Sequence, residues 1–407
     1  MSEIITQTVT RKKDKDDRTV SLELLDDLCG GAQIPFDPES HGLPADFRLT
    51  KFNDSRKTSL QSERQERESL LDLFQRKEDE KTSPHAPACV SEDTRVTKLD
   101  DVGGMMLVEA FSVVPAVVDD PYVMGKIAYA VALGGVYSLG LARCSSTRMI
   151  LAVSDQMKDD ERKTVLSMTT RGYADAARAA DMSVKDCQVL RNSWCLFGGT
   201  ATAVCHPYEI VQPVDATVGD VIVLTKPLGT MVALTISDWM RQPEKKSRLV
   251  LTITEESVEK ARSRAIDCMI RSNRVAAMLM RKYNAHAACE VGSYGVLGHA
   301  ELLARRQTNS VGFIIHNMPV IARMSATSKI TGNALPLLQG EMAEVSGGLL
   351  VVLPREQAAA YCKALEKIER RQAWIVGIVE SGDRTARVIE RPRVIEVPAK
   401  DNGVSLW

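Results

Sequence analysis

Short β-branched runs and longer stretches of helical period succeed one another along this chain in an irregular order, and that order constrains its fold more than any other feature. Met149 to Val153, Gly219 to Leu224, Val311 to His316, Gly347 to Leu353 and Trp374 to Val379 read as strands, as do the longer segments Gly103 to Val114 and Ser193 to Val204. Asp120-Pro121 caps and opens an apolar helix to about Gly140, because proline suits the first helical turn. Asp159 to Ala180 sets Val165, Leu166, Met168, Tyr173, Ala176 and Ala177 near one face, as a surface helix requires. Thr254 caps a helical region to about Tyr283, and Pro354 to Glu369 reads as another helix. Strands and helices without strict alternation predict an α+β fold rather than a doubly wound parallel sheet.

At 407 residues the chain is too long for one ordinary core, and about 150 residues per domain suggests two to three compact units, two being the expectation. Residues 1–45 read as a mobile tail punctuated by Pro35, Pro38 and Pro44. Residues 46–90 form a charged segment, with an amphipathic helix predicted over Asp54 to Lys81 around Leu60, Leu70, Leu71, Leu73 and Phe74. Residues 91–213 then make an N-terminal domain and 214–400 a C-terminal α+β domain, the composition changing near 208–218.

Fifty-two Lys and Arg against 53 Asp and Glu leave a net charge of −1, so no global field draws this chain to nucleic acid or anionic lipid. Apolar stretches such as Ile127 to Leu141 are too short or too broken by glycine to span a bilayer. The N-terminus lacks the apolar core of a secretory signal, which makes the cytoplasm the expected compartment, with the nucleus as a second one. Nine cysteines without a Cys-x-x-Cys read as reduced thiols, not as a disulfide framework or a zinc site.

No Walker loop, Gly-x-Ser-x-Gly elbow, His-Glu-x-x-His or dinucleotide fingerprint occurs. Asp93, Glu109 and Glu290 could hold a hard cation if the fold brought them together; singly, each reads as a solvated acid or a cap. Gly198-Gly199 beside Thr200 could offer N–H groups to a phosphate, or simply make a turn. His206, His286 and His299 show no metal-ligand spacing and read as structural groups.

Longer motifs say more. Phe36-Asp-Pro-Glu-Ser40 through Phe47-Arg-Leu-Thr-Lys-Phe52, Val118-Asp-Asp-Pro-Tyr-Val-Met-Gly-Lys-Ile127 and Gly198-Gly-Thr-Ala-Thr-Ala-Val-Cys205 are three of them. Val223-Leu-Thr-Lys-Pro-Leu-Gly229, Ser346-Gly-Gly-Leu-Leu350 and Gln372-Ala-Trp-Ile-Val-Gly-Ile-Val379 are three more. Together they resemble the selenophosphate synthetases (selenide, water dikinases), of the animal branch-1 type that lacks the catalytic Cys or selenocysteine. The similarity runs from about residue 36 to 398. It implies a two-domain fold of the aminoimidazole-ribonucleotide-synthetase (PurM-like) kind, whose N-terminal domains pair across a dimer into a shared β-barrel. A homodimer, or a heterodimer with an active synthetase paralogue, is therefore the implied assembly. The family reaction takes ATP, selenide and water to selenophosphate, AMP and phosphate, with Mg2+ held by several aspartates.

Residue by residue, the resemblance implies a depleted site. The family's Gly-x-Gly-Cys-Lys loop is matched by Lys57-Thr58-Ser59-Leu60-Gln61, so Leu60 stands for the nucleophile and neutral Gln61 for the phosphate-binding cation. Gly-Met-Asp-Thr is matched by Ser91-Glu92-Asp93-Thr94, which keeps a carboxylate at Asp93. Thr-Thr-Asp is matched by Ala110-Phe111-Ser112 and Leu-Ser-Asp-Leu-Tyr by Leu133-Gly134-Gly135-Val136-Tyr137, so Ser112 and Gly135 replace two aspartates. Glu290 stands for another aspartate on an arm one methylene longer. At Gly-Gly-Gln-Thr the chain has Asp186-Cys187-Gln188-Val189, where Asp186 would repel a phosphate.

Asp93 and Glu290 are thus the implied metal ligands, Asp93 and Gln188 the implied nucleotide contacts, and no catalytic residue remains. The expected function is a divergent, catalytically impaired or inactive binding or regulatory dimer subunit. The alternative is an ATP-dependent kinase with Asp93, Glu109 and Glu290 as a rearranged metal set, and a weaker one makes the 54–81 helix an adaptor for protein or RNA.

Overall fold

Two mixed sheets, each with helices packed on it, account for most of the chain. The computed structural model describes residues 36–53, 93–100, 103–331 and 334–398. The predicted 54–81 helix, with Leu60 and Gln61, lies outside the described residues.

The first sheet contains β1 (Thr94–Leu99), β2 (Met105–Pro115), β3 (Ser146–Ser154), β4 (Val184–Asn192) and β5 (Leu196–Cys205), in the order β1-β2-β5-β3-β4. Only β3 and β4 run parallel. Helices α1 (Pro121–Ser138) and α2 (Asp159–Ala179) pack against each other. Asp120 caps α1 by accepting from the N–H groups of Tyr122 and Val123, with Pro121 in its first turn. α1 is apolar nearly all round because it has neighbours on nearly every side: α2, β2, β5 and the second domain.

Leu43, Phe47 and Leu49 are buried in this same core, so part of the stretch read as tail and charged segment packs. Arg48 fixes it in place, donating to Asp119 at 3.3 Å and Asp238 at 2.9 Å. β4 had no strand signal. Its run Val-Lys-Asp-Cys-Gln-Val-Leu-Arg-Asn is polar, and as an edge strand it pairs with β3 alone and needs no buried alternation.

The second domain begins at β6 (Val221–Leu224), followed by α3 (Thr230–Trp239), α4 (Pro243–Leu249), α5 (Glu255–Ile270) and α6 (Arg274–Lys282). β7 (Ala287–Glu290), α7 (Gly295–Arg305), β8 (Val311–Ile321), α8 (Met324–Ile330) and β9 (Leu349–Leu353) come next. α9 (Arg355–Glu369), β10 (Trp374–Ser381) and β11 (Ala386–Val397) complete it. The sheet order is β11-β8-β10-β6-β9-β7, with β8 and β11 parallel.

Its central strands are apolar without interruption because both faces are covered. Val221, Val223, Val351 and Leu353 share a core with Leu279 and Tyr361, while Ile222, Leu224, Leu350 and Val352 share another with Val232, Ala265 and Leu303. The helix predicted from Thr254 to Tyr283 is two helices. At Arg271 the backbone turns extended, its carbonyl accepts from the Lys226 ammonium at 2.6 Å, and its guanidinium pairs with Glu369 at 3.1 Å. No helix among the described residues is long and apolar enough to cross a membrane.

Candidate functional site

The edge strands of the two sheets meet across one helix. Glu290 ends β7, the last strand of the second sheet, and Asp93 directly precedes β1, the first strand of the other. The C-terminal half of α1 stands between them, presenting Gly134-Gly135. A cleft of about 80 Å³ opens there, lined by Asp93, Ser112, Gly135, Glu290, His299 and Arg306 among others. The fold therefore brings together four positions singled out in the sequence: Asp93, Ser112, Gly135 and Glu290.

Glu290 is the dominant group. Its Oε1 accepts from the Asn273 amide at 3.2 Å, and Asn273 also donates to the Gly347 carbonyl at 2.9 Å. A Cβ built on Gly134 would lie 1.7 Å from Glu290 Oε2, so the carboxylate sits where any other residue's side chain would begin. Burial pushes its carboxyl pKa well up, with Lys226 pulling the other way and Asp93 adding to the rise. Lys226, buried beneath, gives its ammonium to the carbonyls of Arg271 and Ser346 at 2.6 and 2.8 Å. Burial, reinforced by the Arg271 charge, lowers its pKa, and Glu290 partly restores it.

The donors present do not fit the aspartate-held magnesium ions that the resemblance implies. Ser112 brings a neutral hydroxyl, and a Cβ at Gly135 would lie 1.8 Å from Thr94 Oγ1. No group of three or more Asp, Glu, His or Cys able to hold a metal occurs among the described residues. Glu109 leaves the rearranged set, because it alternates with Ala110 and points to the opposite face of β2 from the cleft.

Gln188 is not in the cleft either. It lies on β4, four strand intervals from β1, or roughly 19 Å at about 4.8 Å per strand. Asp186, expected to repel a phosphate, is instead paired with Arg148 at 2.7 Å. Gly198 and Gly199 lie inside β5, where a Cβ on Gly198 would stand 2.0 Å from the Ser112 carbonyl; they permit close strand approach and form no turn. His299, read from the sequence as a structural group, and Arg306, which had no signal there, lie on and just after α7 and reach the cleft through the packing of α7 beside β7.

Residues 217–390 match the family described as AIR synthase related protein, C-terminal domain. A Danio rerio protein, selenide, water dikinase 3, is 40% identical over 406 residues, covering 91% of this chain and 90% of its own length. The chain belongs to the selenide, water dikinase family. The human selenide, water dikinase 2 is 47% identical over 298 residues, or 72% of this chain and 66% of that protein. Among solved structures, thiamine monophosphate kinase from Aquifex aeolicus superposes with a TM-score of 0.55 at 16% identity, covering 81% of this chain and 97% of that one. At that identity the likeness speaks for the fold alone, the two-domain PurM-like α+β architecture.

In this dikinase-family chain the well-matched motifs turn out to be scaffold. Gly198–Cys205 falls within β5, Val223–Gly229 runs from β6 to the start of α3, and Gln372–Val379 enters β10. Glu344, which had no signal in the sequence, belongs to that scaffold too. Buried at the N-terminus of α3, it accepts from Gly229 N at 2.5 Å, Thr230 N at 3.0 Å and the Thr230 hydroxyl. Burial pushes its pKa up to about 7 against those three bonds.

Proposed function

We propose that this chain is a family member that has given up selenophosphate synthesis and acts as a binding or regulatory subunit of a dimer. One observation carries the reading: of the carboxylates the junction would need, the cleft retains Asp93 and a Glu290 committed to Asn273 and to the Gly134 notch. Phosphoryl transfer depends almost wholly on positioning and neutralising charge, so a cleft without a fixed cation array cannot assemble its transition state. Titration of Mg2+ and ATP into the purified full chain tests this. The reading expects no saturable heat up to millimolar nucleotide, and micromolar Mg·ATP binding would count against it.

The dimer is supported by the open face of the first sheet. Strand register puts Leu107, Phe111, Val113, Ile150, Leu190 and Val204 on the side away from α1 and α2, and Phe111, Leu190 and Val204 are 51%, 45% and 44% exposed. A second copy of this face, or the matching face of an active family member, would cover them. It would also bring Gln188, which shares that face, to the partner's sheet. Phe111→Asp should leave the chain folded and convert a dimer to monomer in sedimentation equilibrium; an unchanged mass would exclude this face.

A further inference from the structure

We propose that Glu290 is an interdomain latch: its carboxylate enters the notch that Gly134 leaves in α1 and fixes the C-terminal domain to the N-terminal one. The proposal rests on the reading that this cleft no longer serves phosphoryl transfer, and it says what the cleft serves instead.

Three observations converge on it. A Cβ at Gly134 would lie 1.7 Å from Oε2 and 2.4 Å from Cδ of Glu290, so α1 and β7 can approach this closely only with glycine at that position. Glycine inside a helix is unfavourable by about 1 kcal/mol against alanine, and α1 is an 18-residue helix carrying two in succession near its end. The notch is therefore occupied for a reason other than helix stability. On its far side the carboxylate is held in place, since Asn273 bonds both Glu290 and the Gly347 carbonyl, and the Val291 N–H bonds the Gly348 carbonyl at 2.9 Å. Aspartate at 290 would withdraw the carboxylate by about 1.5 Å, one C–C bond length, and leave the notch empty.

The test is a double-mutant cycle read by thermal unfolding of the full chain. Gly134→Ala in the native background forces side chain against carboxylate and should lower Tm by roughly 5 °C. In the Glu290→Asp background the same substitution meets the withdrawn carboxylate at about 3.2 Å instead of clashing with it, and should lower Tm by no more than roughly 1–2 °C. If Gly134→Ala alone does not fold, folding of Gly134→Ala with Glu290→Asp supports the latch, and failure of both overturns it. An equal fall in the two backgrounds, or a rise in the native one, also overturns it. None of these results depends on nucleotide, so a chain found to consume ATP would sink the functional reading and leave the latch to stand or fall on its own cycle.

Discussion

The start of α3 draws a glutamate fully out of water and the domain junction draws one only part of the way, and they treat it differently. At α3, Glu344 is buried and receives three hydrogen bonds, all from the turn it caps, so its negative end meets the positive end of a helix. At the junction, Glu290 receives one hydrogen bond among the described residues, from Asn273, and its other oxygen abuts a helix flank that donates nothing to it. The first site is saturated and belongs to the scaffold. The second fits by shape while its charge is poorly served.

Substitutions should separate the two. Glu344→Ala strips partners from two buried N–H groups and a hydroxyl, and should reduce stability by about 3–5 kcal/mol in urea unfolding. A loss below about 1 kcal/mol would make the cap dispensable and the contrast empty. Titration gives the next effect. Because the folded carboxyl of Glu344 titrates near 7 against an ordinary value of 4.5, the folded state holds this proton more tightly. Its contribution is therefore full below about pH 4.5 and is lost as pH rises through 7, by about 3 kcal/mol. Glu344→Gln should remove that slope from stability measured between pH 5 and 8.

Smaller effects sharpen the junction side. Gly135→Asp, which would restore a family carboxylate, drives its Cβ into Thr94 and should cost about 2 kcal/mol. Stability equal to the parent would mean that β1 yields easily and the cleft is more adaptable than its packing implies. Glu290→Gln keeps the shape and the oxygen that Asn273 addresses while removing a poorly served charge. Its stability at pH 7 should match the parent within about 1 kcal/mol or exceed it, since replacing a partly buried charge by a neutral group of the same size removes its desolvation cost.

Much of the fold was legible because its signals are local. Pro121 behind Asp120, Thr254 before α5, and the uninterrupted apolar runs of β6 and β9 each report burial through their own residues. What escaped depends on partners distant in sequence. β4 is polar because only β3 borders it, and at the break at Arg271 Lys226 holds the carbonyl while Glu369 holds the guanidinium. The cleft was half legible. Motif matching led to Asp93, Ser112, Gly135 and Glu290, which do converge. It could not show that Gly134 and Glu290 fit one another, nor that Arg148 neutralises Asp186, because both facts arise from contacts between separate elements.

Phosphorus NMR of the purified full chain with Mg2+, ATP and selenide, beside an active family member, tests the central claim most directly. The account predicts that the ATP signals persist and that no selenophosphate resonance grows. Accumulation of selenophosphate with AMP and phosphate at a rate comparable to the active enzyme would contradict it.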